Sequence, residues 1–179
     1  ATVEGGDVQI IGNGAVLVGV SERTTSQGIE RLASRLFAGG KVNQIVAVEM
    51  NRTRAQMHLD TVMTMVDVGT FTIYGGLGKL PTLTLRPDGD KQISVTRNAP
   101  EDMYRIIAQA LGVGELNVLI TPQDSMAAAR EQWDDGSNSL AIAPGVIVTY
   151  ERNVNTNEYL TSHGIEVLTI PGSEVGRGR

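Results

Sequence analysis

The 179 residues include 41% hydrophobic and 20% charged side chains and carry a formal net charge of -5, a field unfavourable to nucleic acid or an anionic membrane. The chain contains no cysteine, which excludes disulfides, thiolate metal sites and a cysteine nucleophile among these residues. No apolar run reaches the roughly 18 residues that would span a bilayer, and Ala1-Thr2-Val3-Glu4 has neither a basic region nor an apolar signal core, so the expectation is one cytoplasmic domain over 1–179.

The predicted elements begin with β-rich runs at Asp7 to Ile11 and Ala15 to Val20. Gly12-Asn13-Gly14 separates them and reads as a hairpin turn. Thr25 or Ser26 then caps an amphipathic helix with Ile29, Leu32, Ala33, Leu36 and Phe37 on its apolar side, stopped by Gly39-Gly40. Gln44 to Glu49 is the next strand. The order strand, strand, helix, strand recurs with Thr61 to Val66, Phe71 to Tyr74, a helix over Glu101 to Leu111 set by Pro100 and stopped by Gly112, and Leu116 to Ile120. Within that second unit, Thr82 to Arg86 and Gln92 to Thr96 form an inserted surface hairpin across Pro87-Asp88-Gly89-Asp90. A third unit follows: Leu140 to Ala143, Val146 to Tyr150 across Pro144-Gly145, a helix over Asn155 to Ser162, and Ile165 to Ile170. The units span approximately 4–50, 57–122 (with the inserted hairpin at 80–97) and 137–171, a repeat of ββαβ type in an α/β protein.

Three segments offer chemistry. In Met57-His58-Leu59-Asp60, the side chains of His58 and Asp60 are two apart and point to one side of an extended segment, and an imidazole suits proton transfer in either direction near neutrality. The same pattern also describes a hydrogen-bonded structural pair. Glu4-Gly5-Gly6-Asp7 places two carboxylates around glycines that admit a close ligand, where they can hydrogen-bond a planar cation; it equally describes an ordinary turn. His163 precedes Gly164 at a helix end and suits the helix dipole. With two histidines in all, a His-rich transition-metal site is excluded, and an oxygen-only site from Glu4, Asp7 and Asp60 has no further support. Gly75-Gly76-Leu77-Gly78-Lys79 has the wrong spacing for a phosphate loop and reads as a turn. Trp133-Asp134-Asp135-Gly136 marks a helix end and an acidic loop.

Taken in order, Glu4-Gly5-Gly6-Asp7, Ser21-Glu22-Arg23-Thr24-Thr25, Met57-His58-Leu59-Asp60-Thr61, Thr64-Met65-Val66-Asp67, Glu131-Gln132-Trp133-Asp134-Asp135-Gly136, Tyr150-Glu151-Arg152-Asn153, and Pro171-Gly172-Ser173-Glu174 through Gly176-Arg177-Gly178-Arg179 resemble successive signatures of bacterial arginine deiminase. They cover essentially the whole chain. The resemblance implies the guanidine-modifying pentein fold, a five-bladed α/β propeller of ββαβ units, of which this chain would be the last three blades.

It also implies cofactor-free hydrolysis of L-arginine to L-citrulline and ammonia, through attack of a cysteine thiolate and a thiouronium intermediate. By position, Asp60 would hold the guanidinium, Glu4 and His58 would bind it and shuttle protons, and Arg23 would bind the substrate carboxylate. Asp7 would touch substrate or support the groups that do. Arg179, with the backbone of Gly178, would lie on a mobile loop that closes over the substrate. The family continues past such a Gly-Arg-Gly-Arg segment to its cysteine, and precedes the first motif with two further blades. The expectation is therefore a C-terminal portion that is inactive alone, whose partners are L-arginine and the remaining segments of the enzyme, assembled as identical subunits when complete. The other reading is a non-catalytic arginine-binding or interaction module derived from the family.

Overall fold

The structure, a computed structural model, describes residues 1–53, 56–89 and 92–173. It is a mixed α/β fold that divides into two compact units, 1–59 with 78–116 and 60–77 with the described residues from 117 onward.

The first unit is built on a five-stranded sheet. Strands β1 (Val8–Gly12) and β2 (Ala15–Val20) pair antiparallel, with Gly12 opposite Ala15. Asn13 and Gly14 between them have φ of 51° and 67°, the left-handed pair that matches the twist of a two-residue hairpin. Helix α1 (Ser26–Ala38) starts where the Thr25 hydroxyl accepts the Gly28 N–H at 3.2 Å, and crosses to β3 (Gln44–Glu49), which runs parallel to β2. Val16, Val18, Ile45 and Ala47 pack with Ile29 and Ala33 of α1. The opposite parity, Leu17, Val46 and Val48, is buried as well, and α2 (Met103–Leu111) lies against β2 and β3. Coverage of both faces explains why these two strands read as continuous apolar runs.

The hairpin β6 (Thr82–Asp88) and β7 (Gln92–Asn98) differs from the sequence expectation of a surface insertion. β6 pairs antiparallel with β3 and extends the first sheet in the order β1-β2-β3-β6-β7. The physical reason is burial: Thr82, Thr84 and Leu85 are buried, while β7 stays mostly exposed at the edge. The helix expected to start at Pro100 begins instead with a 3-10 turn, Pro100–Asp102, and α2 ends at Gly112 in the left-handed conformation, φ 76°.

The second unit holds two three-stranded sheets among the described residues. β4 (Met63–Asp67) and β5 (Thr70–Ile73) are antiparallel, and β8 (Asn117–Leu119) joins β5 in parallel. β9 (Leu140–Ala143) and β10 (Val146–Tyr150) are antiparallel, and α4 (Val154–Ser162) carries the chain to β11 (Glu166–Ile170), parallel to β10. Val66, Leu119, Ile147, Leu160 and Ile165 form its core.

Helix α3 (Ser125–Trp133) has a structural task that its mixed composition hides. Asn153, the N-cap of α4, makes no side-chain cap; the buried carboxylate of Glu131 takes its place. Glu131 accepts the Asn155 and Thr156 backbone N–H groups at 3.0 and 3.1 Å, together with the Asn155 amide, the Thr156 hydroxyl and the Gln123 amide. A carboxylate at a helix N-terminus meets both orphan donors and the positive end of the dipole.

One glycine runs against the usual rule. In a helix glycine is normally less favourable than alanine, by up to about 1 kcal/mol in the interior and less in the first turn, where Gly28 lies. A Cβ at Gly28, however, would overlap the Thr2 carbonyl and lie 2.9 Å from Val3 Cγ2, displacing the segment that leads to Glu4. Gly28→Ala should therefore lower the melting temperature in thermal unfolding. An unchanged or raised value would contradict this packing.

Candidate functional site

The first unit gathers four of the residues singled out in the sequence. Glu4 precedes a 3-10 turn over Gly5–Asp7; its N–H is held by the Thr24 hydroxyl at 3.0 Å, and its carbonyl accepts the Asp7 N–H at 3.1 Å. Arg23 lies in the short bend between β2 and α1. Its guanidinium donates from Nη1 to Glu4 Oε1 at 2.9 Å, and Nη2 lies 3.7 Å from Met57 Sδ. His58 approaches from the segment after β3, placing Nε2 at 3.5 Å from the same Glu4 oxygen. One carboxylate oxygen is thus shared by a guanidinium and an imidazole. Side-chain exposure falls from 49% for Arg23 and 37% for Glu4 to 17% for His58, so the cluster opens to solvent on the arginine side.

Asp7 occupies a different position. It is fully buried; its Oδ2 accepts the Ser21 hydroxyl at 2.6 Å and its Oδ1 accepts the Leu59 N–H at 2.9 Å. Gly19 of β2 makes room for it, since a Cβ there would stand 2.5 Å from Asp7 Oδ1 and 2.8 Å from Met50 Sδ. Ser21 in turn accepts the N–H groups of Arg23 and Thr24, each at 3.1 Å.

Asp60 sits in the 3-10 turn Leu59–Thr61 and belongs to the second unit, where its carbonyl accepts the Thr64 hydroxyl at 3.1 Å. Gly178 and Arg179 lie outside the described residues. His163 ends α4, with Nδ1 2.8 Å from the Tyr159 carbonyl, which places the ring proton on Nδ1, and its ring is packed on Tyr159. Among the described residues no group of three or more His, Cys, Asp or Glu is placed to hold a metal ion, and no helix is long and apolar enough to cross a membrane.

Sequence reasoning did not single out Ser21 or Thr24 on their own. Both carry short hydroxyl side chains before a helix, the usual signal of a local turn. Their link to the histidine segment depends on Leu59, 52 residues from Asp7 in the chain.

Chemically, the cluster presents an anion flanked by a solvent-exposed cation and an imidazole. A carboxylate that already receives one guanidinium has the geometry to receive another, and an arginine side chain that can leave it is free to take a carboxylate bidentately.

The family model for arginine deiminase matches residues 1–179. Among solved structures, the chain is similar to a dimethylarginine dimethylaminohydrolase from Pseudomonas aeruginosa, a cysteine-to-serine mutant in complex with citrulline; the TM-score is 0.57 at 16% identity, covering 98% of this chain and 51% of that one. It is similar to an arginine dihydrolase from the ornithine–ammonia cycle in Cyanobacteria, with a TM-score of 0.61 at 15% identity, covering 97% of this chain and 22% of that one. It is also similar to an inosamine-phosphate amidinotransferase from Streptomyces griseus, with a TM-score of 0.59 at 16% identity, covering 95% of this chain and 41% of that one. The chain spans about half the length of the first of these, or less in the others, and at these identities the likeness shows the fold. With its whole length matched by the family model, this chain belongs to the arginine deiminase family.

Proposed function

We propose that this chain is the C-terminal portion of an arginine deiminase, which hydrolyses L-arginine to L-citrulline and ammonia through a cysteine thiouronium intermediate, with the cysteine supplied from outside these 179 residues. The observation that carries the reading is the shared Glu4 oxygen, 2.9 Å from the Arg23 guanidinium and 3.5 Å from His58 Nε2, in a chain matched throughout by the family model.

In this reading Glu4 holds the substrate guanidinium, and Arg23 turns from Glu4 to the substrate carboxylate. Binding exchanges one internal ion pair for two made with the ligand. The thiolate adds to the guanidinium carbon, and the C–N bond to one terminal nitrogen breaks as that nitrogen takes a proton and leaves as ammonia. Water then adds to the thiouronium carbon and expels the thiolate, leaving the ureido group of citrulline. Glu4 and His58 would carry the protons: one to the departing nitrogen, and the two that the attacking water loses as it becomes the ureido oxygen.

The architecture proposed with it is three of the five blades of a propeller, and two observations support it. The matched structures run well beyond the length of this chain. Leu140, Ile142, Leu168 and Ile170 on β9 and β11 are exposed, with Leu140 66% accessible, as expected of a sheet face that further segments of the enzyme would cover. A second reading rests on the composition: because the 179 residues contain no cysteine, the same cluster would serve a module that binds arginine without converting it.

Calorimetric titration of the purified chain with L-arginine, followed by assay for citrulline, tests the proposal. Arginine should bind, and citrulline should form only once the cysteine-bearing segment is supplied; binding that never leads to citrulline in the completed enzyme would favour the second reading. Failure to bind would contradict the site, and turnover by the pure 179-residue chain would contradict the cysteine mechanism.

Arg23→Ala should weaken L-arginine strongly while leaving agmatine, which lacks the carboxylate, nearly unaffected. Equal losses for the two ligands would place Arg23 in folding rather than recognition. In an enzyme completed with the cysteine-bearing segment, His58→Ala should slow turnover by roughly 10²-fold or more, the usual contribution of a positioned acid or base. His163→Ala should be nearly silent, and similar losses in both variants would contradict the separate roles.

A further inference from the structure

The cluster that faces solvent is carried by three separate segments, and one buried hydrogen-bonded pair touches all of them. Glu4 enters a tight turn that ends in Asp7, Arg23 follows Ser21 at the end of β2, and His58 precedes Leu59. We propose that Asp7 and Ser21 are positioning residues, a single brace that sets Glu4, Arg23 and His58 against one another without touching the ligand. The proposal rests on the arginine-binding reading above.

Hydrogen counting supports it. The Ser21 oxygen has two lone pairs and one proton; the lone pairs accept the Arg23 and Thr24 N–H groups, and the proton goes to Asp7 Oδ2. Its capacity is complete. The other Asp7 oxygen accepts the Leu59 N–H, so each carboxylate oxygen is engaged inside the protein and the residue exposes no surface to a ligand. Thr24, also fully buried, completes the frame by accepting the Glu4 N–H and giving its carbonyl to the Ser21 N–H at 3.1 Å. Apart from the Ser21–Asp7 bond itself, every bond acts on the main chain at or beside a site residue rather than on the site side chain. That leaves the side chains of Glu4 and Arg23 free to exchange partners while their Cα positions are held.

Gly19 adds an independent mark of purpose. A glycine inside a strand weakens it, yet here any side chain would collide with the Asp7 carboxylate, so β2 gives up packing in order to admit the brace. A substitution at Asp7 also has a defined consequence. In Asp7→Asn the amide NH2 has no good place: at Oδ2 it would meet a serine oxygen whose lone pairs are both taken, and at Oδ1 it would face the Leu59 N–H, donor against donor.

The test is a double-mutant cycle on the 179-residue chain with Asp7→Asn, Ser21→Ala and the pair together, read by L-arginine titration and by amide hydrogen exchange. If the two residues act as one unit, each single variant weakens arginine by about tenfold, the scale of a lost hydrogen bond to a charged group, and the double variant is no worse than the weaker single. Ser21→Thr, which keeps the hydroxyl, should retain most of the affinity. The Leu59 amide should exchange faster in Asp7→Asn and in Ser21→Ala, while the Ile29 and Ala33 amides of α1 keep their protection.

Losses that add in the double variant would mean that Asp7 and Ser21 act independently, and would overturn the proposal. So would unchanged Leu59 exchange, and so would loss of protection across α1, because the pair would then be holding the fold instead of the site. A wild-type chain that binds no arginine would refute the preceding functional reading, and the Leu59 measurement would then decide the brace alone.

Discussion

A carboxylate with no exposure to water must find its hydrogen bonds inside the protein, and Asp7 is such a group. Its two oxygens are met by a hydroxyl from the end of β2 and by a main-chain N–H from the segment that follows β3. Removing either donor leaves a buried charge underpaired, which is why these segments are held together more firmly than their apolar contacts alone would require. The arrangement of the site follows from this demand. Glu4 lies three residues before the carboxylate, Arg23 two after the serine, and His58 one before the leucine.

The same region shows a gradient from permanent to exchangeable contacts. Asp7 is fully enclosed, His58 is 17% exposed, and the Glu4–Arg23 pair is the outermost, open at 37% and 49%. An ion pair that exposed contributes about 0.2–1 kcal/mol, little enough for a charged ligand to displace it. The buried hydrogen bonds are costly to break. A binding site profits from that division, because recognition can rearrange the outer side chains while the main chain beneath them stays in place.

Much of this was legible in the sequence, where local chemistry decides the outcome. Asn13-Gly14 announced a hairpin because both residues accept positive φ, Thr25 announced a helix start because its hydroxyl can meet a free N–H, and Gly112 announced a helix end. The gathering of Glu4, Arg23 and His58 was legible only through the resemblance of ordered motifs. What stayed hidden were partnerships set by distance. The Thr82–Asn98 hairpin looked like an appendage because nothing within it says that β3 offers a free edge. Glu131 looked like one charge among several on a polar helix, and its capping of α4 depends on a contact 24 residues away. Asp7 looked like half of a carboxylate pair, yet its partners turn it inward while Glu4 faces out.

Glu4 and Arg23, paired with each other in this structure, are proposed as the two ends of an arginine-recognition site. The most direct measurement is a crystal structure of the chain with L-arginine bound. The ligand guanidinium should lie on the Glu4 carboxylate near His58 and the ligand carboxylate on Arg23, with the Glu4–Arg23 contact broken and Asp7 still bonded to Ser21 and Leu59. Arginine seated elsewhere, with the 2.9 Å Glu4–Arg23 pair intact, would contradict that placement.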